Sequence, residues 1–303
     1  MELKTRPLCK SFGLEIQGVD LANLDDATFD AIYKLWQKEP ILLFCRQSLT
    51  ESEQVAYSRR FGVLDHLVRD DMYSPKHPEI IYVTALMKPN GRPLGGLGAY
   101  ELLWHHDQIY RERPASGSIL YGCDMPEGDG LTSYCNTQLG LECMPADMRE
   151  KIAGKKAVAK YGYKKGYGIE KDFEKDKDRL KVLHDRTPPQ PHDTIMTDPV
   201  TGRETLYMDP NKTVTIDGMD EAETQAFLED FKTHMLQDRF IYTHSWRNGD
   251  VLHWDNARVW HKRGSFDENL PRLAKRTTIF LNPADFAVPE PQLFYAAAQA
   301  KSA

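Results

Sequence analysis

The sequence predicts a mainly β protein, an antiparallel jelly-roll or barrel with helices along its flanks. Short segments that are typical of strands recur along the 303 residues, and turn residues separate them. Segments with the apolar period of a helix are few, and they are scattered between the strands. No internal repeat and no linker divides the chain, so we expect one domain over residues 1–303.

The N-terminal part is predicted to form a helix followed by a buried strand. Asp25 or Asp26 can cap the helix, and Pro40 ends it. The apolar residues of this helix fall at i, i+3, i+4 and i+7: Phe29, Ile32, Tyr33 and Trp36. The continuous apolar run 41–45 then predicts a short buried strand.

Further helices are predicted from their N-terminal signals and apolar faces. Residues 50–53 form a capping box that opens a second helix, and another helix is expected around 145–152. Asp220 with Glu223 caps a longer helix near the C-terminal end. The apolar face of that helix consists of Phe227, Leu228, Phe231 and Met235.

The remaining strand predictions are short segments bounded by turn residues. They cover residues 13–16, 79–83, 118–123, 131–136, 157–160, 205–208, 240–246, 250–254 and 276–281. Residues 95–98 contain three glycines without the phosphate-loop pattern, so we expect a flexible loop there. Residues 164–181 mix Lys, Asp and Glu with few apolar residues, which predicts a mobile excursion around 161–185 that could serve as a lid.

The composition is that of an ordinary globular protein and disfavours several classes of function. A net charge of −6 argues against nucleic acid as a partner, because phosphate binding needs a basic surface. No apolar run approaches the roughly 18 residues of a membrane span, and the N-terminus resembles no secretory signal. The five cysteines lack CxxC spacing, which favours a cytoplasmic protein with reduced thiols and no zinc site.

One stretch, Trp104-His105-His106-Asp107, carries a pattern that is typical of a metal site. Side chains two residues apart point the same way along an extended chain, so His105 and Asp107 can reach one metal while His106 faces away. A second histidine from elsewhere would complete the two-histidine, one-carboxylate triad of non-haem Fe(II). Strand position alone leaves two candidates open for this histidine, His253 and His261.

Taken together, several motifs resemble those of the Fe(II)/2-oxoglutarate-dependent dioxygenases of the taurine dioxygenase and 2,4-D dioxygenase family. The matching segments are Trp104-His105-x-Asp107, Trp254-Asp255-Asn256 with His261, Arg272 with Arg276, Phe61-Gly62-x-Leu64, 129–132 and 198–202. They run through most of the chain. The resemblance implies a mainly β fold with flanking helices around a double-stranded β-helix (jelly-roll, cupin-like) core.

The resemblance also implies roles for individual residues. His105, Asp107 and His261 stand at the positions that bind Fe(II) in the family. Thr132 stands at the hydroxyl that binds the distal carboxylate of 2-oxoglutarate, and Arg272 at the arginine that grips the same carboxylate. A guanidinium suits this role because its planar fork meets a carboxylate through two hydrogen bonds.

Two residues are candidates for substrate binding. Arg276 corresponds to the residue that holds the anionic end of the substrate in the taurine enzyme, and Glu101 replaces an asparagine that contacts substrate there. If both face the pocket, a zwitterion such as an amino acid would suit it; Arg276 alone favours a small organic anion. Where the family has Gly-Gly-Asp-Thr, residues 129–132 are Asp-Gly-Leu-Thr, so we expect a slightly different turn that keeps the threonine.

The expected activity is oxidation of an unactivated C–H bond with Fe(II), 2-oxoglutarate and O2, by default a hydroxylation, with release of succinate and CO2. Desaturation is an alternative outcome of the same iron site. The carboxylate of Asp107 disfavours halogenation, since halogenases of this type leave that position to chloride. The rival interpretations are a non-catalytic cupin-like metal-binding or sensor protein and a zinc hydrolase. Family members suggest a dimer or tetramer.

Overall fold

The protein consists mainly of antiparallel strands, with helices packed against two of the sheets. A computed structural model describes residues 2–66, 70–114, 116–162 and 177–289. The largest sheet has eight strands and the next largest has four, and together they form the jelly-roll core. This confirms the predicted fold class. None of the described helices is long and apolar enough to cross a membrane.

The strands are numbered here along the described chain. They are Lys4–Pro7 (β1), Leu14–Gln17 (β2), Ile41–Phe44 (β3), Gly62–Leu64 (β4), Ile80–Thr84 (β5), Leu102–His105 (β6), Gly117–Asp124 (β7), Thr132–Asn136 (β8), Lys156–Ala159 (β9), Gln190–Asp193 (β10), Ile195–Thr197 (β11), Glu204–Leu206 (β12), Thr213–Ile216 (β13), Ile241–His244 (β14), Val251–Asp255 (β15), Val259–Arg263 (β16) and Leu273–Leu281 (β17).

The helices are fewer than the strands, and most of them flank the sheets. They are Asp26–Lys38 (α1), Glu51–Arg59 (α2), Thr137–Glu142 (α3), Ala146–Glu150 (α4), Lys177–Arg186 (α5) and Glu221–Met235 (α6), with single 3-10 turns at Asp70–Met72 and Asp238–Phe240.

Strand order separates a major sheet from a minor sheet. The major sheet runs β1-β2-β3-β15-β7-β17-β4, and β5 also pairs with β17. The minor sheet runs β14-β8-β16-β6. Successive strands β15 and β16 therefore lie in different sheets, so the chain crosses between the sheets at the turn that joins them. Two small sheets, β10-β9-β13 and β11-β12, complete the described strands.

Three apolar layers hold these sheets and helices together. Trp36 and Ile32 of α1 pack with Phe44 on the outer face of the major sheet. The space between the two sheets holds a second cluster that includes Tyr134 of β8 and Trp254 of β15. The third cluster packs α6 against the outer face of the minor sheet through Phe227, Leu228, Phe231, Met235 and Trp260. Burial of these side chains from water is the main driving force for the arrangement.

The helix predictions with capping signals are confirmed. Asp25 accepts a hydrogen bond from the Thr28 amide and caps α1. Both capping boxes, Thr50 with Glu53 and Asp220 with Glu223, are formed at α2 and α6. Helix α3 is absent from the predictions because its six residues show no apolar period.

Several predictions need correction at the level of strand ends and loops. Strand β6 ends at His105, so Asp107 lies beyond the strand rather than on it. The glycine loop at 95–98 is tied to β5, because the amide of Gly96 donates to Tyr82 O at 3.1 Å. A side chain at Gly95 would collide with Tyr82 O, which explains the glycine. Of the predicted excursion at 161–185, residues 163–176 lie outside the described residues. Residues 177–185 belong to α5.

His253 lies on the face of β15 that packs against α1 and α2, and it is completely buried. Its ring is surrounded by those of Trp36, Phe44, Tyr57 and Phe61, with centroids 5.0 to 5.5 Å away. Neither ring nitrogen has a hydrogen-bond partner among the described residues. Burial lowers the pKa of His253 to about 3, so the ring is neutral at physiological pH.

Replacement of His253 by leucine is expected to make the fold less sensitive to acid. An unfolded chain binds a proton at histidine below a pKa of about 6.5, whereas the folded protein does so only below about 3. Between these values the unfolded chain holds more protons, so the free energy of unfolding falls as the pH is lowered. At about pH 5 this residue should cost the wild type about 2 kcal/mol relative to about pH 8.

Denaturant titrations of the wild type and the His253→Leu variant at both pH values would measure this loss. His77→Leu serves as a control, because His77 is partly exposed and its ring contacts Ser52 Oγ at 3.1 Å. An equal loss of stability in the wild type and in His253→Leu would contradict the prediction.

Candidate active site

Three potential metal ligands, His105, Asp107 and His261, meet at one end of the minor sheet. His105 ends β6, and His261 lies directly opposite it on β16. Asp107 Oδ1 is 3.7 Å from His105 Nε2, and its Oδ2 is 3.7 Å from His261 Nε2. One ligand atom from each residue lies within 4.8 Å of the others, and all three residues are buried. The group is therefore compact enough to surround one ion, and it leaves further coordination positions open.

Asn256 holds Asp107 in place although the strand has already ended. Its side-chain amide donates to Asp107 O and accepts from the Asp107 amide, both at 2.8 Å. The Asn256 side chain thus acts as a partner strand would, by satisfying both backbone groups of one residue. This is why the Asp107 carboxylate can converge with His105 without the extended geometry that the sequence argument assumed.

The neighbouring backbone is fixed by a buried polar network. The His106 amide donates to Asp209 Oδ2, and Lys212 Nζ donates to His106 O, both at 2.9 Å. Asp209 and Lys212 are ion-paired with each other at 2.9 Å. Within β6 itself, the side-chain amide of Asn211 donates to Trp104 O at 2.7 Å. Three side chains from one turn after β12 therefore position the segment that carries two of the potential ligands.

The His106 ring lies on the other side of this segment, away from the metal-binding group. It is fully buried, and burial lowers its pKa to about 4, so it is neutral. Its Nδ1 is 2.6 Å from Asn256 O, and its Nε2 accepts from Trp260 Nε1 at 3.0 Å. A neutral ring that donates from Nδ1 and accepts at Nε2 satisfies both contacts.

The electrostatics of the group suit a cation. Burial alone would raise the pKa of Asp107, but the neighbouring guanidinium of Arg276 outweighs it and helps to hold the pKa well below its usual value. Burial lowers the pKa of His261 well below its usual value, and nearby His105 adds to this effect. The carboxylate is thus ionised and the His261 ring neutral, which are the forms that coordinate metal ions.

Arg276, on β17, points to the metal-binding group. Its Nη1 donates to both carboxylate oxygens of Asp107, at 3.1 and 3.0 Å. The Nε atom of Arg276 is buried and has no partner among the described residues. The arginine thus provides a countercharge to Asp107 and still has donor capacity for another acceptor.

Arg272 lies immediately before β17 and is 1% exposed. Its Nε and Nη1 atoms have no hydrogen-bond partner in the described part of the chain. Burial lowers the pKa of Arg272 to about 10, which leaves the guanidinium charged at neutral pH. A buried cation with unused donors is costly unless an anion joins it. The site therefore fits the carboxylate of a ligand.

Thr132, the first residue of β8, is buried on the same side of the structure as Arg272. Its Oγ1 accepts from Trp246 Nε1 at 2.8 Å, which leaves its own hydroxyl hydrogen to donate. The turn before it is close to Arg272: a side chain at Gly130 would begin 3.0 Å from Arg272 Nε. Gly130 also has a positive φ of 60°, which glycine adopts without strain.

Glu101 is the one proposed site residue that the structure places at the surface. Its side chain is 49% exposed, and Lys262 Nζ lies 3.8 Å from its carboxylate. An exposed ion pair of this kind contributes little, because solvent screens both charges. The suggested role of Glu101 in substrate choice stays a prediction, and this location offers it no support.

Strand alternation explains how the structure distinguishes the two candidate histidines. On β15, Trp254 faces the space between the sheets, so His253 faces the helices. On β16, Trp260 packs against α6, so His261 faces inward toward Asp107. Sequence alone could not decide this, because it does not show which face of each strand is covered by a helix.

The residues that position Asp107 were only partly visible in the sequence. Asn256 belongs to one of the matching motifs, but no role could be assigned to it from the sequence. Asp209 and Lys212 gave no signal, because charged residues between predicted elements are usually exposed. Only the fold shows that this turn is buried beneath β6.

Comparison with known proteins agrees with this geometry. Residues 4–278 match the model of the family described as taurine catabolism dioxygenase TauD, TfdA family. The match spans most of the chain, so the protein belongs to this family. It is accordingly a 2-oxoglutarate-dependent dioxygenase, with Fe(II), 2-oxoglutarate and O2 as the requirements of its class, and the His105, Asp107 and His261 group fits the metal.

Individual relatives cover almost the whole chain. Pentalenolactone F synthase of Streptomyces avermitilis is 25% identical over 94% of this chain and 97% of its own length. The alpha-ketoglutarate-dependent 2,4-dichlorophenoxyacetate dioxygenase of Cupriavidus pinatubonensis is 25% identical over 92% of this chain and 98% of its own.

Solved structures of similar fold include two that cover nearly the whole chain. A taurine dioxygenase from Burkholderia xenovorans superposes with a TM-score of 0.74, 25% identity and 98% coverage of both chains. The structure of AAD-2 in complex with Mn(II) and N-oxalylglycine gives a TM-score of 0.76 over 97% of this chain and 99% of its own. At 23% identity, the latter likeness supports the fold alone.

Replacement of Asn256 by alanine is expected to weaken metal binding while the fold persists. Without the amide, the two backbone groups of Asp107 lose their partners and the carboxylate loses its fixed position. Loss of a residue that orients a metal ligand typically costs about 10- to 100-fold in affinity. Calorimetric titration with Mn(II) measures this effect. Asn23→Ala, at an exposed site, is the control, and equal affinities of the two variants would contradict the prediction.

Proposed function

We propose that the protein hydroxylates an unactivated C–H bond of a small organic anion, with conversion of 2-oxoglutarate and O2 to succinate and CO2. The observation that carries this proposal is the buried, partly unpartnered guanidinium of Arg272 in the same interior as a His-Asp-His group. A protein that merely stored or sensed a metal would have no need for such an anion-binding group. The same argument disfavours a zinc hydrolase.

In this proposal His105, Asp107 and His261 hold Fe(II). Their ligand atoms are close together, Asp107 is ionised, and His261 has a free lone pair. The bound metal, together with the co-substrate and O2, supplies the oxidising power for the C–H bond. The protein's own contribution is to fix three ligands, to leave the other positions open and to keep the site buried.

Arg272 and Thr132 are proposed to bind the distal carboxylate of 2-oxoglutarate. Arg272 offers two unused nitrogen donors, and Thr132 offers a hydroxyl whose oxygen is already occupied by Trp246. Charge-assisted hydrogen bonds of this kind are stronger than neutral ones, and they are strongest in a buried site. Together they would orient the co-substrate so that its other end reaches the metal.

Arg276 is proposed to attract the anionic end of the substrate. It lies beside Asp107 and retains an unpartnered Nε atom. A zwitterionic substrate, the other prediction from sequence, has less support because Glu101 is exposed and paired with Lys262. Desaturation by the same site remains an alternative outcome.

Apolar residues near this end of the sheet favour a substrate with an apolar body. Leu103 lies on the same face of β6 as His105, and it packs with Tyr110, Tyr161 and Leu183. Two relatives also carry names that point to such compounds: one is a 2,4-dichlorophenoxyacetate dioxygenase and another an (S)-phenoxypropionate dioxygenase. An aryloxy acid combines an apolar body with a carboxylate.

A cytoplasmic location and a dimer or tetramer stay predictions.

Measurement of succinate formation tests this function. The protein is loaded with Fe(II) without oxygen and given 2-oxoglutarate with sulfonates, phosphonates, aryloxy acids or amino acids, and air is then admitted. We expect succinate in proportion to product with at least one class of anion. Absence of succinate with every class, from protein shown to bind Fe(II), would reject the proposal. Replacement of Asp107 by alanine is the control for iron dependence.

Replacement of Arg272 by methionine should raise the KM for 2-oxoglutarate by about 100-fold or more, because a charged bidentate contact is lost from a buried site. Binding of Mn(II) should change little, since Arg272 has no contact with the three metal-binding residues. Steady-state kinetics and metal titration of the same variant separate these effects. A KM within a factor of about two of the wild type would count against the role of Arg272.

Replacement of Arg276 by glutamine should weaken binding of anionic substrates by about 10-fold or more, whereas uncharged analogues should be affected little. Because Arg276 also contacts Asp107, the affinity for Mn(II) is measured in parallel. An equal loss for an anion and for its methyl ester, with metal affinity unchanged, would show that Arg276 does not recognise the anionic group.

A further inference from the structure

Tyr134 is completely buried, yet its hydroxyl group has no hydrogen-bond partner among the described residues. Buried hydroxyl groups nearly always have a partner, because an unsatisfied one loses its hydrogen bonds to water without replacement. The hydroxyl is therefore expected to meet a group outside the described part of the chain, and a bound ligand would be such a group.

The position of Tyr134 places it in the interior that contains the candidate active site. On β8 it is two residues after Thr132, so both side chains lie on the same face of the minor sheet. It is directly opposite His261 in the register of β8 and β16. Its ring stacks against that of His261, with centroids 6.1 Å apart and planes inclined by 24°.

The charges around Tyr134 identify the kind of partner. Besides the Asp107 carboxylate, the guanidinium groups of Arg276 and Arg272 act electrostatically on Tyr134. A phenol hydroxyl carries a proton that it can donate. The Arg272 nitrogens donate only, and Thr132 Oγ1 is already an acceptor for Trp246. A cluster of donors of this kind calls for a ligand with several acceptor atoms, such as a carboxylate.

We propose that the Tyr134 hydroxyl donates a third hydrogen bond to the distal carboxylate of 2-oxoglutarate, beside Arg272 and Thr132. This inference rests on the proposed function and adds a positioning residue to it. A carboxylate has about four lone-pair sites, so it can accept from the guanidinium and from both hydroxyl groups together. Stacking on His261 would keep the phenol in place and reduce the entropy lost on binding.

The Tyr134→Phe variant tests this role, because it removes the hydroxyl and keeps the ring that packs on His261. Tyr242→Phe is a matched control. Tyr242 is opposite Tyr134 in the register of β14 and β8, but its hydroxyl is 2.9 Å from His244 Nδ1. Dissociation constants are measured by calorimetry on the Mn(II)-loaded proteins, with 2-oxoglutarate and with 2-oxopentanoate. The second ligand keeps the 2-oxo acid end and lacks the distal carboxylate.

We expect Tyr134→Phe to bind 2-oxoglutarate about 10-fold or more weakly than the wild type, since one hydrogen bond to a charged acceptor is lost. Binding of 2-oxopentanoate should not change, and Tyr242→Phe should resemble the wild type with both ligands. The ratio of the two dissociation constants within one protein is insensitive to the fraction that is folded. It therefore separates loss of the hydrogen bond from loss of structure.

Two results would overturn the role of Tyr134. One is unchanged binding of 2-oxoglutarate by Tyr134→Phe. The other is an equal loss for both ligands, which would show that Tyr134 acts through packing on His261. Failure of the wild type itself to bind 2-oxoglutarate would reject the proposed function as well, and it is thus distinguishable from failure of this inference alone.

Discussion

The structure around the candidate site depends on keeping the carboxylate of Asp107 fixed in a buried position. An isolated carboxylate there would be costly, because the interior solvates charge poorly. Arg276 balances the charge from one side, and the two histidines face it from the other. Asn256 fixes the backbone that carries it. A divalent cation bound to the carboxylate would compensate its negative charge further.

A second buried pair, Asp209 with Lys212, supports this arrangement from behind. A buried ion pair is not by itself evidence of stability, because desolvation offsets much of the attraction. Here both partners also bind the backbone of His106. His106 lies between His105, the last residue of β6, and Asp107, which are two of the potential metal ligands. The charges of the pair are thus used to set the direction of a short segment, and this explains why a polar network is kept in the interior.

Alternation of side chains along a strand can be predicted from the sequence. Which of the two strand faces is covered by a helix cannot. Alternation correctly separates His105 from His106, and capping boxes locate α2 and α6. The choice between His253 and His261 needs the knowledge that α1 covers one sheet and α6 the other. Sequence patterns are local, whereas that knowledge comes from the order of strands in the two sheets.

The extended geometry assumed for His105 and Asp107 shows a related limit. A period of two predicted that their side chains converge, and they do, but the strand ends at His105. Convergence comes from a long-range contact, since Asn256 is 149 residues away from Asp107 along the chain. Glu101 is the opposite case. It stands where the taurine enzyme has an asparagine that contacts substrate, which suggested the pocket. In the structure it lies just before β6, exposed to solvent and close to Lys262.

The turn beside Arg272, where we propose that the co-substrate binds, shows that a changed motif can keep its hydrogen-bond donors. Asp129 and Leu131 depart from the family pattern, whereas Gly130 and Thr132 are kept. Gly130 is the position where a side chain would approach Arg272, and Thr132 supplies the hydroxyl. Asp129 instead accepts from the Asp267 amide at 2.8 Å and ties the turn to the segment before Arg272. The substitutions therefore fall where the backbone can accommodate them, and the donors that face the interior remain.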